Sequence, residues 1–563
     1  MHKRATAALW SLCRNNRRNQ DSMRECGGVA ALVGLLAPGG TDAVHEAAAA
    51  ALCNLCMDDS RNQDSVRECG GVAALVGLLA PGSSDAVRKA VCGALMRLCT
   101  NNVRNQDSAG ECGGVAALVG LLAPGGSIFK VFVREIAAGA LANLCAANVR
   151  NQDSVSECGG IAALVGLLAP GGTDAARRIA AGALANVCAD SVRNKDSVRE
   201  CEGVAALVAL LAPGGSDAVR ELAAGALGNL CAGDVRNQDT VRECGGVAAL
   251  VGLLAPGGPV AVRATAAMTL GKLCSTNIGN QDSVRECGGV PALVSLLAPG
   301  GADIVRKEAA AAVCTLCDDN HRNKESVREC GGVAALVGLL APGGTDEVHA
   351  RAARALANLC VENAENRDCV RECGGVAALV ALLAPGRTDA VRKWAGGAVC
   401  KWAAGALGEL CINSRKAQDC VRECGGVAAL VALLAPDETD AVRDRVAATL
   451  VELCTTNVRN QDSVRECGGV PALVALLGRA CPAALHMRAA NALTLFARDS
   501  ARGREAVRAC GGAAALERVL ACESSATAHE WAAAALRNLG RPGVRRDQGR
   551  WLQQVVSGLG RPD

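Results

Sequence analysis

The chain carries 31 cysteines and six histidines, enough nucleophiles and metal ligands to build thiol or zinc sites if they converge. In a small secreted protein such a count would read as a disulfide framework. Here the number is odd and the placement periodic: twelve cysteines, from Cys26 to Cys510, close one recurring helix, and eleven more, from Cys13 to Cys454, close another. Both positions suit a small buried hydrophobe, which a free cysteine is, so packing is the expected role of both sets. Two CxxC pairs, Cys53/Cys56 and Cys314/Cys317, lie six repeats apart with no histidine nearby, whereas a four-ligand zinc site needs its pairs to meet. His2, His45, His321, His349, His486 and His529 are scattered, and there is no P-loop, no HExxH and no GxGxxG after a strand. No catalysis, metal, cofactor or small-molecule substrate is expected.

The elements that position these residues repeat. ECGGVAALVGLLAPGG returns every 43 residues, with one step of 46 and one of 51, and Cys201 and Cys510 sit in slightly altered copies. A period of this size marks a solenoid, whose units bury their apolar faces only against their neighbours. The 563 residues therefore read as one elongated repeat domain. With no Tyr, three Phe and half the residues apolar, its core must be Ala, Leu, Val and Cys.

Within Asp59 to Cys99, RNQDSVREC reads as a short helix opened by polar residues, with Val66 and Cys69 on one face and Gly70-Gly71 closing it. VAALVGLLA places Val72, Leu75, Val76, Leu78 and Leu79 around most of a second, longer helix stopped by Pro81-Gly82. Ser84 is the expected N-cap of the third and longest helix, whose inward face is Val87, Val91, Leu95 and Leu98.

Three helices with GG after the first and a Pro/Gly break after the second resemble the armadillo repeat. The resemblance implies an all-α fold, an α-α superhelix (armadillo-type solenoid) of about twelve three-helix repeats over residues 14–540. Residues 1–13 match only a third helix, as in a chain with repeats missing upstream, and 541–563 form a basic tail or cap. HEAT repeats lack the short first helix and the GG turn.

In armadillo proteins third helices line a concave groove, where an Asn near each helix end holds the main chain of an extended peptide. An amide suits this because it offers donor and acceptor together. The resemblance assigns that position to Asn54, Asn143, Asn186, Asn229, Asn358 and Asn538, with Arg97, Lys272, Thr315, Glu409, Glu452 and Thr494 in other repeats. The Trp usual one turn earlier is replaced by Ala50, Gly139, Gly182, Gly225, Arg354 and Ala534, so the shelves that hold basic nuclear signals are missing. The recurrent Gly implies either close helix packing or room for a peptide.

Seven residues before the Asn position the series runs Ala47, Ala90, Ile136, Ile179 and Leu222, then Glu308, Arg351, Trp402, Arg445 and Trp531. The first half of the groove thus reads as apolar. In the second half Arg351, Arg354 and Arg445 suit an acidic or phosphorylated segment.

Two irregularities stand out. SIFKVFVRE at 127–135 adds three residues, expected as a loop on the second helix or as a local apolar contact. The octet KWAGGAVC at 393–400 is followed by its copy KWAAGALG at 401–408, and eight residues would lengthen a helix by about 12 Å and turn its face by roughly 80°. A kink or a looped-out octet is expected there.

A net charge of +3 and scarce aromatics argue against nucleic-acid binding. The start, MHKRATAALWSLC, lacks the apolar run of a signal peptide or membrane span, so a cytoplasmic or nuclear protein without membrane insertion is expected. The functional expectation is a non-catalytic scaffold or adaptor that binds other proteins through extended segments. The alternatives are an importin-α-like transport adaptor and a fragment of a larger armadillo protein.

Overall fold

In the computed structural model the described residues are 16–123, 128–383, 397–478, 480–521 and 525–540. They form helices and turns, with no strand among them. The expected partial repeat at 1–13 and the tail at 541–563 lie outside them. The chain divides into two compact units, one running to Leu296 with Asp318–Asn320, the other comprising Leu297–Cys317 and His321 onward.

Each repeat is built from the same local signals. In the first unit the Asp59 carboxylate caps Ser60–Glu68 by accepting from the amides of Arg61 and Asn62 at 3.0 and 3.1 Å. Gly70 follows at φ 77°, a left-handed conformation that a side chain resists. At Gly71 a Cβ would come within 2.5 Å of Val66 Cγ1 and 2.8 Å of Val66 O, so the second glycine is required by close approach. The second helix, Gly71–Gly77, buries Val72, Leu75 and Val76 and leaves Ala73 and Gly77 exposed. Ser84 then caps Asp85–Leu98 by accepting from Val87 N at 3.4 Å, and Val87, Val91, Leu95 and Leu98 are all fully buried.

Three expectations are corrected. The second helix has 7 residues against 9 in the first and 14 in the third, because the chain already turns at Leu78, ahead of Pro81-Gly82. Val66 is buried but Cys69 is exposed; as the C-cap, Cys69 sits where the chain leaves the helix, and its counterparts Cys26, Cys112, Cys158, Cys244, Cys287, Cys330, Cys373, Cys424 and Cys467 are exposed as well. Only the third-helix set is interior, with Cys56, Cys99, Cys145, Cys188, Cys231, Cys274, Cys317, Cys360, Cys411 and Cys454 all buried. Finally, the residues added near 130 form no loop: Ile128–Leu144 is one 17-residue helix, since KVFVRE contains no breaker. Phe132 on its first turns is 48% exposed and carries Lys89 Nζ 5.7 Å from its ring centroid, which leaves the contact-site alternative open.

Third helices pack on third helices within each unit. In the first, Asp42–Leu55, Asp85–Leu98, Ile128–Leu144, Asp174–Val187, Asp217–Cys231 and Val260–Cys274 stack in order. In the second the order is Asp303–Leu316, Asp346–Cys360, Gly397–Cys411, Asp440–Cys454, Ala483–Asp499 and Ala526–Asn538.

The RNQ residues, read from sequence only as a polar helix start, are a buried network. The last carbonyls of a helix have no partner inside it. Asn105 Nδ2 donates to Leu98 O at 2.9 Å and to Gln63 O at 3.1 Å, while Gln106 Nε2 donates to Cys99 O at 3.1 Å and to Asn143 O at 3.0 Å. One dyad thus closes its own preceding third helix and ties the next. In the second unit Lys324 takes the Gln role, its buried ammonium donating to Val361 O at 2.9 Å. Three of the scattered histidines are latches of the same kind: Nε2 of His45, His349 and His486 lies 3.1, 3.1 and 3.0 Å from carbonyls eight residues back.

Candidate functional site

The third helices carry every residue that the sequence proposed for a binding face, and the two units hold two separate rows. In the first unit Asn54, Asn143, Asn186 and Asn229 occupy the last turns of successive or near-successive third helices, each half-buried. Their amides turn toward the neighbouring repeat. Asn143 Nδ2 donates to Met96 O at 2.8 Å and to Thr100 Oγ1 at 3.0 Å; Asn186 Nδ2 donates to Ala142 O at 3.0 Å and Asn229 Nδ2 to Ala185 O at 2.9 Å. Each acceptor lies near the C-terminal end of the preceding third helix, where carbonyls lack helical partners. Asn54 Nδ2 is buried without a partner, and the residue one repeat earlier that corresponds to these acceptors, Trp10, is outside the described residues. Where Lys272 replaces Asn, its Nζ donates to Asn229 Oδ1 at 3.0 Å, so the row continues with a cation.

The second unit repeats the device with gaps. Asn358 Nδ2 donates to Cys314 O at 2.9 Å, and Asn538 Nδ2 to Thr494 O at 3.4 Å. Between them stand Glu409 and Glu452, both half-buried. Burial raises the Glu409 carboxyl above its ordinary value, Arg445 opposes the rise and Glu452 adds to it. Glu452 is raised by its own burial against the pull of Arg488. The sequence showed these two carboxylates at amide positions, but their partial burial is a property of the stacked helices.

The recurrent glycines one turn before the clamp position face neighbouring repeats, with tight room for a Cβ at Gly139 and Gly405 and ordinary van der Waals room at Gly182 and Gly225. A Cβ on Gly139 would stand 3.2 Å from Met96 Sδ and 3.8 Å from Ile179 Cγ2; on Gly182 it would meet Leu222 at 3.7 Å, and on Gly225 Thr265 at 3.7 Å. On Gly405 it would meet Arg445 Cδ at 3.3 Å. Each glycine therefore lies under the side chain seven positions before the next repeat's clamp residue.

In the first unit that series is apolar and half-exposed at Ile136, Ile179 and Leu222, as expected. In the second, Arg351 is exposed, Arg445 lays its stem over Gly405, and Trp402 lies between two cations, Arg354 at 4.9 Å and Lys401 at 5.1 Å from its ring. Trp531 is half-buried, its carbonyl accepting from Thr494 Oγ1 at 3.2 Å. From Gly397 to Cys411 the duplicated octet is one helix in the register of its neighbours, with Leu410 and Cys411 buried. The kink or looped-out octet is expected within 389–411; the helix is unbroken over its described part, 397–411, and the start of the first octet lies in 384–396, outside the described residues.

Among the described residues no helix is long and apolar enough to cross a membrane, and no group of three or more His, Cys, Asp or Glu is placed to hold a metal ion.

Four segments match the family described as Armadillo/beta-catenin-like repeat: residues 16–57, 191–232, 277–318 and 320–361. No curated protein matches the chain. Among solved structures it is similar to an engineered protein whose crystal structure comes from the Northeast Structural Genomics Consortium. The two are 30% identical, the match covers 76% of this chain and 98% of that one, and the TM-score is 0.64.

Proposed function

This chain belongs to the armadillo-repeat family of all-α solenoids, and we propose that it is a non-catalytic scaffold holding extended segments of other proteins along its third helices. Armadillo repeats are in general protein-interaction scaffolds and not catalysts. The observation that carries the reading is the run Asn143, Asn186, Asn229: three half-exposed amides in successive repeats, each anchored through Nδ2 to the helix before it. Anchoring fixes the amide plane before a peptide arrives, which lowers the ordering cost of binding. An extended peptide offers main-chain N–H groups to Oδ1 of Asn143 and Asn186, and to that of Asn229 beside the Lys272 ammonium it already accepts from, and Ile136, Ile179 and Leu222 give its side chains an apolar bed.

In the second unit Arg351, Arg354 and Arg445 favour an acidic or phosphorylated segment. Trp402 carries two cations of the protein itself, so it is no open shelf for a basic residue, and this favours the scaffold over the importin-α-like reading.

The test is selection of linear peptides from a displayed library on the full chain, repeated with Ile179→Lys, which blocks the bed without touching the Asn bonds. Peptides selected by the wild type and lost on Ile179→Lys at an unchanged melting temperature support the proposal. Selection of no linear peptide, or equal binding by the variant, overturns it. Charge reversal of Arg351 and Arg354 without loss of acidic peptides removes the second-unit assignment.

A further inference from the structure

Two first helices carry a second cysteine where the rest do not. Ala364–Glu372 and Arg415–Glu423 have Cys369 and Cys420 at a position that is Ser in eight of the other described first helices, Thr240 in one and Ala506 in one. Four residues on, at the C-cap, come Cys373 and Cys424, members of the exposed row. Cys369 and Cys420 are themselves only partly buried, and each stands one helical turn before the exposed cysteine of its own C-cap. Each helix end therefore presents two neighbouring sulfurs at the surface.

Side chains at i and i+4 of a helix have Cβ atoms about 5–6 Å apart, whereas a disulfide needs about 3.5–4.5 Å. The intact helix thus holds the sulfurs too far apart for a direct bond and close enough to share one bridging atom. Thiolates are soft ligands that select Cu(I). No third ligand of the His, Cys, Asp or Glu type joins either pair among the described residues, so the fitting ion is one satisfied by two sulfurs. A Cu(I) ion between two thiolates bears one net negative charge, and each pair lies within electrostatic range of one guanidinium of the preceding repeat and one carboxylate of its own helix, Arg328 and Glu372 at Cys369, Arg371 and Glu423 at Cys420. These two arginines hold the same place in their own repeats, so the whole arrangement occurs twice.

We propose that Cys369 with Cys373, and Cys420 with Cys424, are two soft-metal sites that each bind one Cu(I) between their sulfurs. Each thiol gives up its proton as its sulfur–copper bond forms, so binding one ion releases two protons and leaves the oxidation state of copper and sulfur unchanged. The remaining exposed cysteines offer one sulfur each, because a Ser, Thr or Ala stands four residues before them. The cysteines that close the third helices, from Cys56 to Cys454, are buried in the core, and the partly exposed Cys53 and Cys400 on third helices each offer one accessible sulfur.

The test uses the full, reduced chain under anaerobic conditions with Cu(I) supplied as its bathocuproine disulfonate complex. Loss of chelate colour and native mass spectrometry read the metal transferred. Two Cu(I) per wild-type chain are expected, one for Cys369→Ser and none for Cys369→Ser with Cys420→Ser. Serine is what most first helices already carry, so the melting temperature should hold. A Cys69→Ser control, which removes a lone exposed thiol, should still take two. The proposal is overturned if the wild type withdraws no copper, or if the double variant withdraws as much as the wild type.

Discussion

The guanidinium of Arg354 lies over the indole of Trp402, 4.9 Å from the ring centroid, and joins the third helices of two adjacent repeats across the position where a glycine stands in the first unit. A cation over an exposed aromatic face contributes about 0.5–1 kcal/mol. Arg354→Ala should lower stability by about that amount and make Trp402 more accessible to a collisional quencher. Unchanged quenching, compared against Trp402→Phe to isolate this indole, would show the stack to be absent in solution.

A second expectation concerns acidity. Glu409 and Glu452 both have raised carboxyl pKa values, chiefly through burial. The folded state then holds these protons more tightly than the unfolded chain. Their favourable contribution is complete below the ordinary value of 4.5 and disappears as pH climbs through the raised one. Glu409→Gln with Glu452→Gln should therefore melt above the wild type at pH 7 and converge with it near pH 4. A double variant that melts below the wild type at pH 7 would reverse the sign.

Backbone strain gives a third. Glu202 takes the left-handed turn at φ 58°, where every other described copy of the turn has glycine. That conformation costs an L-residue roughly 1–2 kcal/mol. Glu202→Gly should raise stability by about 1 kcal/mol, and Gly245→Glu, which makes the converse change at φ 76°, should lower it similarly. Chemical denaturation of the two variants decides the matter, and equal midpoints would refute the strain.

The buried amides supply a fourth. Gln106→Ala would leave the carbonyls of Cys99 and Asn143 without this donor. An unsatisfied buried polar group costs about 1–3 kcal/mol. Hydrogen exchange should quicken at the ends of both third helices, Asp85–Leu98 and Ile128–Leu144. Faster exchange at one end alone would mean that the side chain ties only one repeat.

Period, caps and the apolar face of the third helix were all readable from residue order, because Ser84, Gly70 and the Val87 to Leu98 series act through local rules. Cys69 was not, since its burial depends on where the chain turns after the helix, and a cysteine carries no local mark of that. The asparagines lie on third-helix ends, where residue order puts them, but only the stacked neighbours reveal that Nδ2 of Asn143, Asn186 and Asn229 is already bonded to the preceding helix. The glycines posed the same problem: whether Gly182 makes room for a ligand or for Leu222 depends on residues 40 positions away. The lengthened helix at Ile128–Leu144 was misread because an insertion was equated with a loop, although nothing in KVFVRE interrupts a helix.

Two successive amide rungs reach back to the same kind of acceptor at the same distance along the chain, Asn186 to Ala142 and Asn229 to Ala185, and Asn143 reaches the corresponding turn of its own preceding helix at Met96. Donor and acceptor are thus interchangeable from rung to rung. Excision or duplication of one whole 43-residue period inside the first unit would present each surviving asparagine with an equivalent carbonyl, so the array can gain or lose length without inventing a new joint.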